Sequence, residues 1–314
     1  MSSELPVGQV LHGINNIYTV ESDGRRLQCR IKGKVLKTEH NVYNPIAVGD
    51  FVRFQPDPIS EGIGWIVERD QRSSSLLRWN KKRNSVQVLA ANAKVMVCVC
   101  SVESPPFRPR FIDRVLVSAE SLDPLIVVNK ADLHISTEIR QRIRDYRKIG
   151  YPVVLTSAIS GKGLSQLKRK IKGKLSVFCG QSGVGKSTLL NRMFPGLNLA
   201  VGKISAKYDR GRHTTSFASL IQAGKRHRII DTPGIRELEI AGVEARDLAF
   251  YFPEIVPVAE HCAYTGCRHI DEPGCAVREA VEKGRIHADR YESYLRIYED
   301  VEAFARAFPR SPYA

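Results

Sequence analysis

The sequence predicts a multidomain chain of three units: a small β-barrel of OB type over residues 1–80, a central α/β core over 81–240, and an α-helical, metal-binding unit over 241–314. Three observations carry this. Short strand-like runs broken by turn residues fill the first part. Continuous apolar runs alternate with helical patterns in the middle. A Cys/His cluster followed by a long charged helical pattern closes the chain. The length of 314 residues suits two or three domains, and 43% hydrophobic residues suffice for packed cores.

In the first unit the strand-like runs lie at residues 17–20, 27–31, 51–54 and 64–67. Turn signals stand at Asp23-Gly24, Asn44-Pro45 and Gly49-Asp50, and no helical periodicity occurs. Closing such strands into a barrel removes their edges. An OB-type barrel suits a basic chain, although periodicity alone does not separate it from an SH3-like one. Residues 78–83, Arg-Trp-Asn-Lys-Lys-Arg, read as a polar linker. It is either a solvated connector or a nucleic-acid contact with Trp79 free to stack.

In the second unit, apolar runs at 94–100, 125–128, 152–155, 175–179 and 228–231 read as strands buried on both faces of a parallel sheet. Helical patterns lie between them, at 135–148 and 164–171. Beyond about residue 242 strands cease, and residues 287–308 read as one long helix.

Chemistry enters at Gly180-Gln181-Ser182-Gly183-Val184-Gly185-Lys186-Ser187-Thr188, which fits the phosphate-loop pattern G-x-x-x-x-G-K-[ST] between a strand and a helix. Its glycines let backbone N–H groups converge on phosphate oxygens, and the helix N-terminus adds positive potential. Lys186 is expected to reach the β- and γ-phosphates and Ser187 to bind Mg²⁺. The plainer alternative is a glycine-rich turn without a ligand.

Asn129-Lys130-Ala131-Asp132 follows an apolar strand, where open α/β sheets bind ligands. A carboxylate at Asp132 can accept from both N1–H and the 2-amino group of guanine, a donor pair adenine lacks. The stem of Lys130 can cover the base. Thr156-Ser157-Ala158 closes another strand and can offer a backbone N–H to guanine O6. Asp231-Thr232-Pro233-Gly234 stands at the D-x-x-G position, with Asp231 reaching Mg²⁺ through water and Gly234 N–H sensing the γ-phosphate. Upstream, Gly211-Arg212-His213-Thr214-Thr215 supplies a threonine for Mg²⁺, Thr215 being favoured over Thr214. Together these predict a GTP-binding and GTP-hydrolysing core.

The motifs run in a rotated order. N-K-x-D and T-S-A precede the phosphate loop and D-T-P-G comes last, which predicts a circularly permuted core whose final motif leads straight into the third unit. The residue after D-x-x-G is Ile235, which cannot orient water, so slow intrinsic hydrolysis is expected. His213 is the candidate for positioning the attacking water; the alternatives are a surface residue or an RNA contact. Gly183 stands where potassium-dependent relatives of this class carry Asn, so no potassium dependence is expected.

Cys262, Cys267, His269 and Cys275 supply three thiolates and one imidazole, a complete tetrahedral set for a structural Zn²⁺. The other cysteines, Cys29, Cys98, Cys100 and Cys179, are scattered and read as reduced thiols, most of them buried.

The rotated order, Gly211-Arg212-His213-Thr214-Thr215, Phe252-Pro253-Glu254, the Cys/His cluster, the segment 272–277 and the segment 290–294 together resemble the circularly permuted small-ribosomal-subunit biogenesis GTPase family RsgA (YjeQ/YloQ). The resemblance spans nearly the whole chain. It implies an N-terminal OB-fold, a permuted GTPase core, a C-terminal zinc domain, and late maturation of the small ribosomal subunit through contacts with its rRNA. Subunit-stimulated hydrolysis of GTP to GDP follows, with the chain a monomer off the ribosome. The formal charge of +15 fits a polyanionic partner. A signalling switch acting through a protein effector is the alternative, and a passive RNA-binding module with an inactive site a third reading. No run reaches the roughly 20 apolar residues that span a bilayer. The first ten residues, with Glu4 and Pro6, do not read as a signal peptide, so a cytoplasmic protein without a membrane partner is expected.

Overall fold

The computed structural model describes residues 5–33, 36, 44–80, 84–119, 121–201, 218–232 and 238–307. Strands β1 (Val7–Ile14), β2 (Ile17–Ser22), β3 (Arg25–Ile31), β4 (Phe51–Pro56) and β5 (Ile63–Arg69) close into a barrel in the order β1-β2-β3-β5-β4. Antiparallel β1–β4 pairing seals it, and β3 runs parallel to β5. This five-stranded Greek-key closure is the OB arrangement and resolves the choice left open by periodicity. Alternate residues Val10, Val20, Cys29, Val52, Phe54 and Ile66 fill the interior.

Residues 78–80 of the expected linker instead end a strand of an antiparallel hairpin, β6 (Ser75–Asn80) paired with β7 (Ser85–Ala91), while residues 81–83 lie outside the described residues. Trp79 is 8% exposed and meets the Phe304 ring edge-on at 4.5 Å, so it is not free to stack on a base. Arg78, on the opposite strand face, donates to Gln87 Oε1 at 2.8 and 3.0 Å. The alternation was hidden because the polar face of this short strand supplies Arg78 and Asn80, the residues of a solvated connector.

The core follows with β8 (Val95–Ser101), α1 (Pro109–Ser118), β9 (Asp123–Asn129), α2 (Thr137–Lys148), β10 (Val153–Leu155), α3 (Leu164–Ile171), β11 (Leu175–Gly180), α4 (Lys186–Met193), β12 (Ser219–Gln222) and β13 (Arg228–Asp231). The sheet order is β10-β9-β8-β11-β13-β12, parallel except for the edge strand β12. Met96, Cys98, Ile126, Val128 and Cys179 pack with Ile112, Val115 and Ile143 of α1 and α2 on one face. Val97, Val99, Val127 and Phe178 pack with Leu167, Leu189 and Met193 of α3 and α4 on the other. Burial pushes the Cys179 thiol up to about 12, partly opposed by Lys186, and also raises Cys98, so these are inert, protonated thiols.

The C-terminal unit comprises a 3₁₀ turn (Ala245–Tyr251), α5 (Val256–Ala259), α6 (Ala276–Glu282) and α7 (Ala288–Ala307). A buried polar hub fastens it to the core. The Asp113 carboxylate of α1 accepts from Tyr146 Oη at 2.6 Å, Arg142 Nη2 at 3.3 Å, Arg290 Nη1 at 2.7 Å and Ser293 Oγ at 2.6 Å. Arg290 also donates to both oxygens of Glu254, at 2.6 and 3.1 Å. Two arginines thus balance two carboxylates, with no side chain of the four more than 8% exposed.

Candidate functional site: a nucleotide crevice and a metal centre

Strand order reverses between β8 and β11. Such a switch point opens a crevice beyond the carboxyl ends of the strands. The sequence motifs converge on it. Gly180 ends β11, where a Cβ would lie 2.5 Å from Val99 O, so only glycine lets the two strands approach. Gly185 has φ +88, and a Cβ there would stand 2.6 Å from Asn129 Nδ2. The loop then opens α4 at Lys186.

Asn129 is 1% exposed and joins the N-K-x-D segment to the phosphate loop and to T-S-A. Its Nδ2 donates to Val184 O at 2.9 Å, and its Oδ1 accepts from Thr156 Oγ1 at 3.2 Å. Ala131 N donates to Thr156 O at 2.9 Å, which ties N-K-x-D to T-S-A. Ser157 is buried and its Oγ accepts from Ser160 N at 3.0 Å, while Ala158 is half-buried and Asp132 exposed at the mouth. Gln181, Ser182, Gly183, Ser187 and Thr188 line the loop with partial or full exposure.

The Lys186 ammonium is buried against Asp231 Oδ1 and donates to Thr232 O at 2.6 Å. Asp231 Oδ2 is buried with no partner among the described residues. An unmatched buried carboxylate oxygen beside the phosphate-loop lysine fits a hydrated divalent cation and a polyphosphate. His213, Thr214, Thr215, Gly234 and Ile235 lie outside the described residues.

One contact was missed by sequence reasoning. Lys130 Nζ is held by Ser104 O and lies 3.4 Å from Glu103 O, in the turn between β8 and α1. Ser101 Oγ donates to Pro105 O at 2.8 Å and pins that turn. The Ser104-Pro105-Pro106 run was a turn signal, but backbone carbonyls leave no residue-type signature.

The second centre lies in the C-terminal unit. The ligand atoms of Cys262, Cys267, His269 and Cys275 all fall within 4.8 Å of one another. His269 Nδ1 is 3.6 Å from both Cys262 Sγ and Cys275 Sγ. Burial lowers the His269 pKa, with Glu272 opposing, and leaves a neutral imidazole. The outer shell is built. Tyr291 Oη donates to His269 O and Tyr294 Oη to Arg268 O, each at 2.6 Å. Glu272 accepts from Arg268 N at 3.1 Å and Ile270 N at 3.0 Å. Burial raises the Glu272 pKa, but these amide donors outweigh it and hold the carboxyl at about 2. Three sulfurs and one nitrogen at this spacing fit a tetrahedral metal.

Comparison with known proteins agrees with this geometry. Residues 69–241 match the RsgA GTPase family and residues 7–66 the RsgA N-terminal domain. The small ribosomal subunit biogenesis GTPase RsgA of Geobacillus sp. (strain WCH70) is 41% identical over 300 residues, covering 94% of this chain and 97% of that one. The crystal structure of YjeQ from Thermotoga maritima superposes with a TM-score of 0.72 at 34% identity, covering 94% and 98% of the two chains. That of YloQ, a circularly permuted GTPase, gives 0.67 at 29% identity, covering 96% of each. With its barrel, its permuted strand order and its converging nucleotide motifs, the chain belongs to the RsgA family of GTPases.

Proposed function

We propose that this chain hydrolyses GTP in the crevice between β8 and β11 and acts in maturation of the small ribosomal subunit, with hydrolysis stimulated by that subunit. The observation that carries the reading is the Asn129 side chain, which holds the phosphate loop at Val184 and the T-S-A segment at Thr156 in one unit. Asp132 selects guanine and the Lys130 stem covers the base. Backbone amides from Gly180 to Thr188 hold the phosphates. Ser187, Thr215 and, through water, Asp231 would hold Mg²⁺, which would offset the charge that develops on the phosphates. On nucleotide binding, Lys186 moves from Asp231 to the β- and γ-phosphates, and Gly234 N–H meets the γ-phosphate.

The Cys262, Cys267, His269 and Cys275 set takes Zn²⁺, the ion suited to three thiolates and one imidazole. The small-subunit rRNA is the partner, the chain acting as a cytoplasmic monomer between encounters. Among the described residues no helix is long and apolar enough to cross a membrane. His213 orients the attacking water in place of Ile235.

Co-sedimentation with small subunits in GTP analogue and in GDP, together with turnover with and without subunits, tests the reading. Association favoured by the analogue and faster turnover on the subunit are expected. Equal binding in both nucleotide states with unstimulated hydrolysis would refute it. His213→Ala is expected to keep GTP binding and subunit association but to lose most stimulated turnover, since water positioning is worth orders of magnitude. Normal turnover of that variant on the subunit would assign the role elsewhere.

A further inference from the structure

The parallel strands begin at the pole of the sheet opposite the crevice, and cations gather there. Lys94 precedes β8, and Lys172 and Lys174 precede β11. Lys168, Arg169 and Lys170 form the last turn of α3. Lys225 and Arg226 occupy the turn between β12 and β13. Backbone contacts hold these segments side by side. Lys94 N donates to Leu175 O at 2.7 Å and Gly173 N to Arg226 O at 2.8 Å. The His227 ring lies 3.2 Å from Lys168 O. The carboxylate paired among them is Asp123, 3.5 Å from Lys94 and 3.9 Å from Lys174. Arg169, Lys170, Lys172, Lys225 and Arg226 are exposed, and no ion pair joins them to a carboxylate among the described residues.

Two ordinary reasons for cations do not cover this set. Positive charge in the last turn of a helix complements its dipole. That accounts for Lys168, Arg169 and Lys170, but not for Lys172, Lys174, Lys225 or Arg226, which lie beyond α3. Solubility is served by interspersed charge, whereas a one-sign cluster repels itself. The surface also lacks the apolar anchors that protein interfaces use. None of the large exposed hydrophobic side chains of the described residues falls within it. A dense, unpaired, apolar-free cluster of cations suits phosphodiester anions, whose condensed counterions are released on contact.

We propose that this pole of the core is a docking surface for the sugar–phosphate backbone of structured RNA. β11 spans six residues, so roughly 20 Å separates the two poles at about 3.3 Å per residue. RNA held there leaves the nucleotide crevice open for exchange. The surface borders the barrel, because Arg228 at the start of β13 hydrogen-bonds Gln9 Oε1 of β1. The identity of the RNA rests on the ribosomal reading; the surface itself requires only a folded phosphodiester polyanion.

The test is a triple reversal in the full chain, Arg169→Glu, Lys172→Glu and Arg226→Glu. The charge-matched control is Arg144→Glu, Lys283→Glu and Arg285→Glu, exposed cations on α2 and at the end of α6, away from this pole. Guanine-nucleotide binding checks folding, and the corresponding Gln variants replace any reversal that fails this check. Each protein is titrated over a range of salt with a short RNA duplex, with polyglutamate and with purified small subunits. The reversal is expected to weaken duplex binding about tenfold or more and to reduce the slope of log affinity against log salt by about 2, since each lost phosphate contact removes ~0.7–0.9. The control is expected to keep most of both. Equal losses in the two variants, or an unchanged slope in the first, would overturn the proposal. So would selective loss of polyglutamate binding with RNA affinity retained. If the unmutated chain ignores small subunits, the ribosomal reading falls, and the duplex titration still decides the surface.

Discussion

Gly185 and Asp132 bracket what single residues decide in the crevice. Gly185 combines φ +88 with a Cβ direction that points 2.6 Å from Asn129 Nδ2. Gly185→Ala therefore displaces the side chain that joins the two halves of the site. Nucleotide affinity is expected to fall about tenfold or more, from the left-handed backbone cost of ~1–2 kcal/mol plus the clash. Titration with a fluorescent guanine nucleotide measures this. Asp132→Asn is expected to move preference from guanine toward xanthine, whose oxygen replaces the 2-amino group. Equal affinity of the unmutated chain for ATP and GTP would remove the basis of that expectation. That their segments converge was legible because the motifs place particular side chains at particular spacings at the ends of neighbouring strands. The clamp on Lys130 was not, because main-chain carbonyls made it.

Elements were legible in proportion to how strongly one environment surrounds them. The strands β8, β9 and β11 are apolar through their middles because helices cover both faces, and they stand where the sequence put them to within a residue or two. β6 escaped because Arg78 and Asn80 stand on its outer face. α1 went unassigned although Pro109 begins it and Phe111, Ile112, Val115 and Leu116 share its buried side. Asp113 sits among them and breaks the apolar stripe. At this scale the Cys/His cluster makes a further prediction. Cys275 caps α6, and Tyr291 and Tyr294 of α7 bond the ligand loop, so a metal there links both helices. Elemental analysis of protein purified without chelator is expected to find one zinc per chain. Cys275→Ser is expected to lose it and to unfold the helices of this unit, seen as lost helical circular dichroism, because metal binding is folding energy here.

Across the whole molecule, the hub at Asp113 is a buried ionic fastening between core and C-terminal unit. Asp113→Ala would leave Arg142 and Arg290 as buried cations with Glu254 alone to balance them. Removing one member of a buried ionic cluster costs about 3–5 kcal/mol. A fall of roughly 10 °C in the thermal midpoint is expected at this size, whereas replacing the exposed Asp300, which pairs with Arg114, is expected to change it little. No such fastening could be read from the sequence, because Asp113 and Arg290 stand 177 positions apart.

Strand order also sets an order in time. A ribosome delivers β8, β9 and β10 first, and these three pair consecutively without help from later residues. The other edge of β8, buried along its whole length in the finished protein, then waits for β11, which emerges only after α1, α2 and α3. During that interval an apolar strand edge is open to other chains. GTP gains a complete pocket later still, once β13 has brought Asp231 to Lys186. A nascent chain of this permuted design thus carries its base-recognition half through synthesis before it can hold a phosphate, so a truncated product ending before β11 is expected to aggregate rather than to compete for nucleotide.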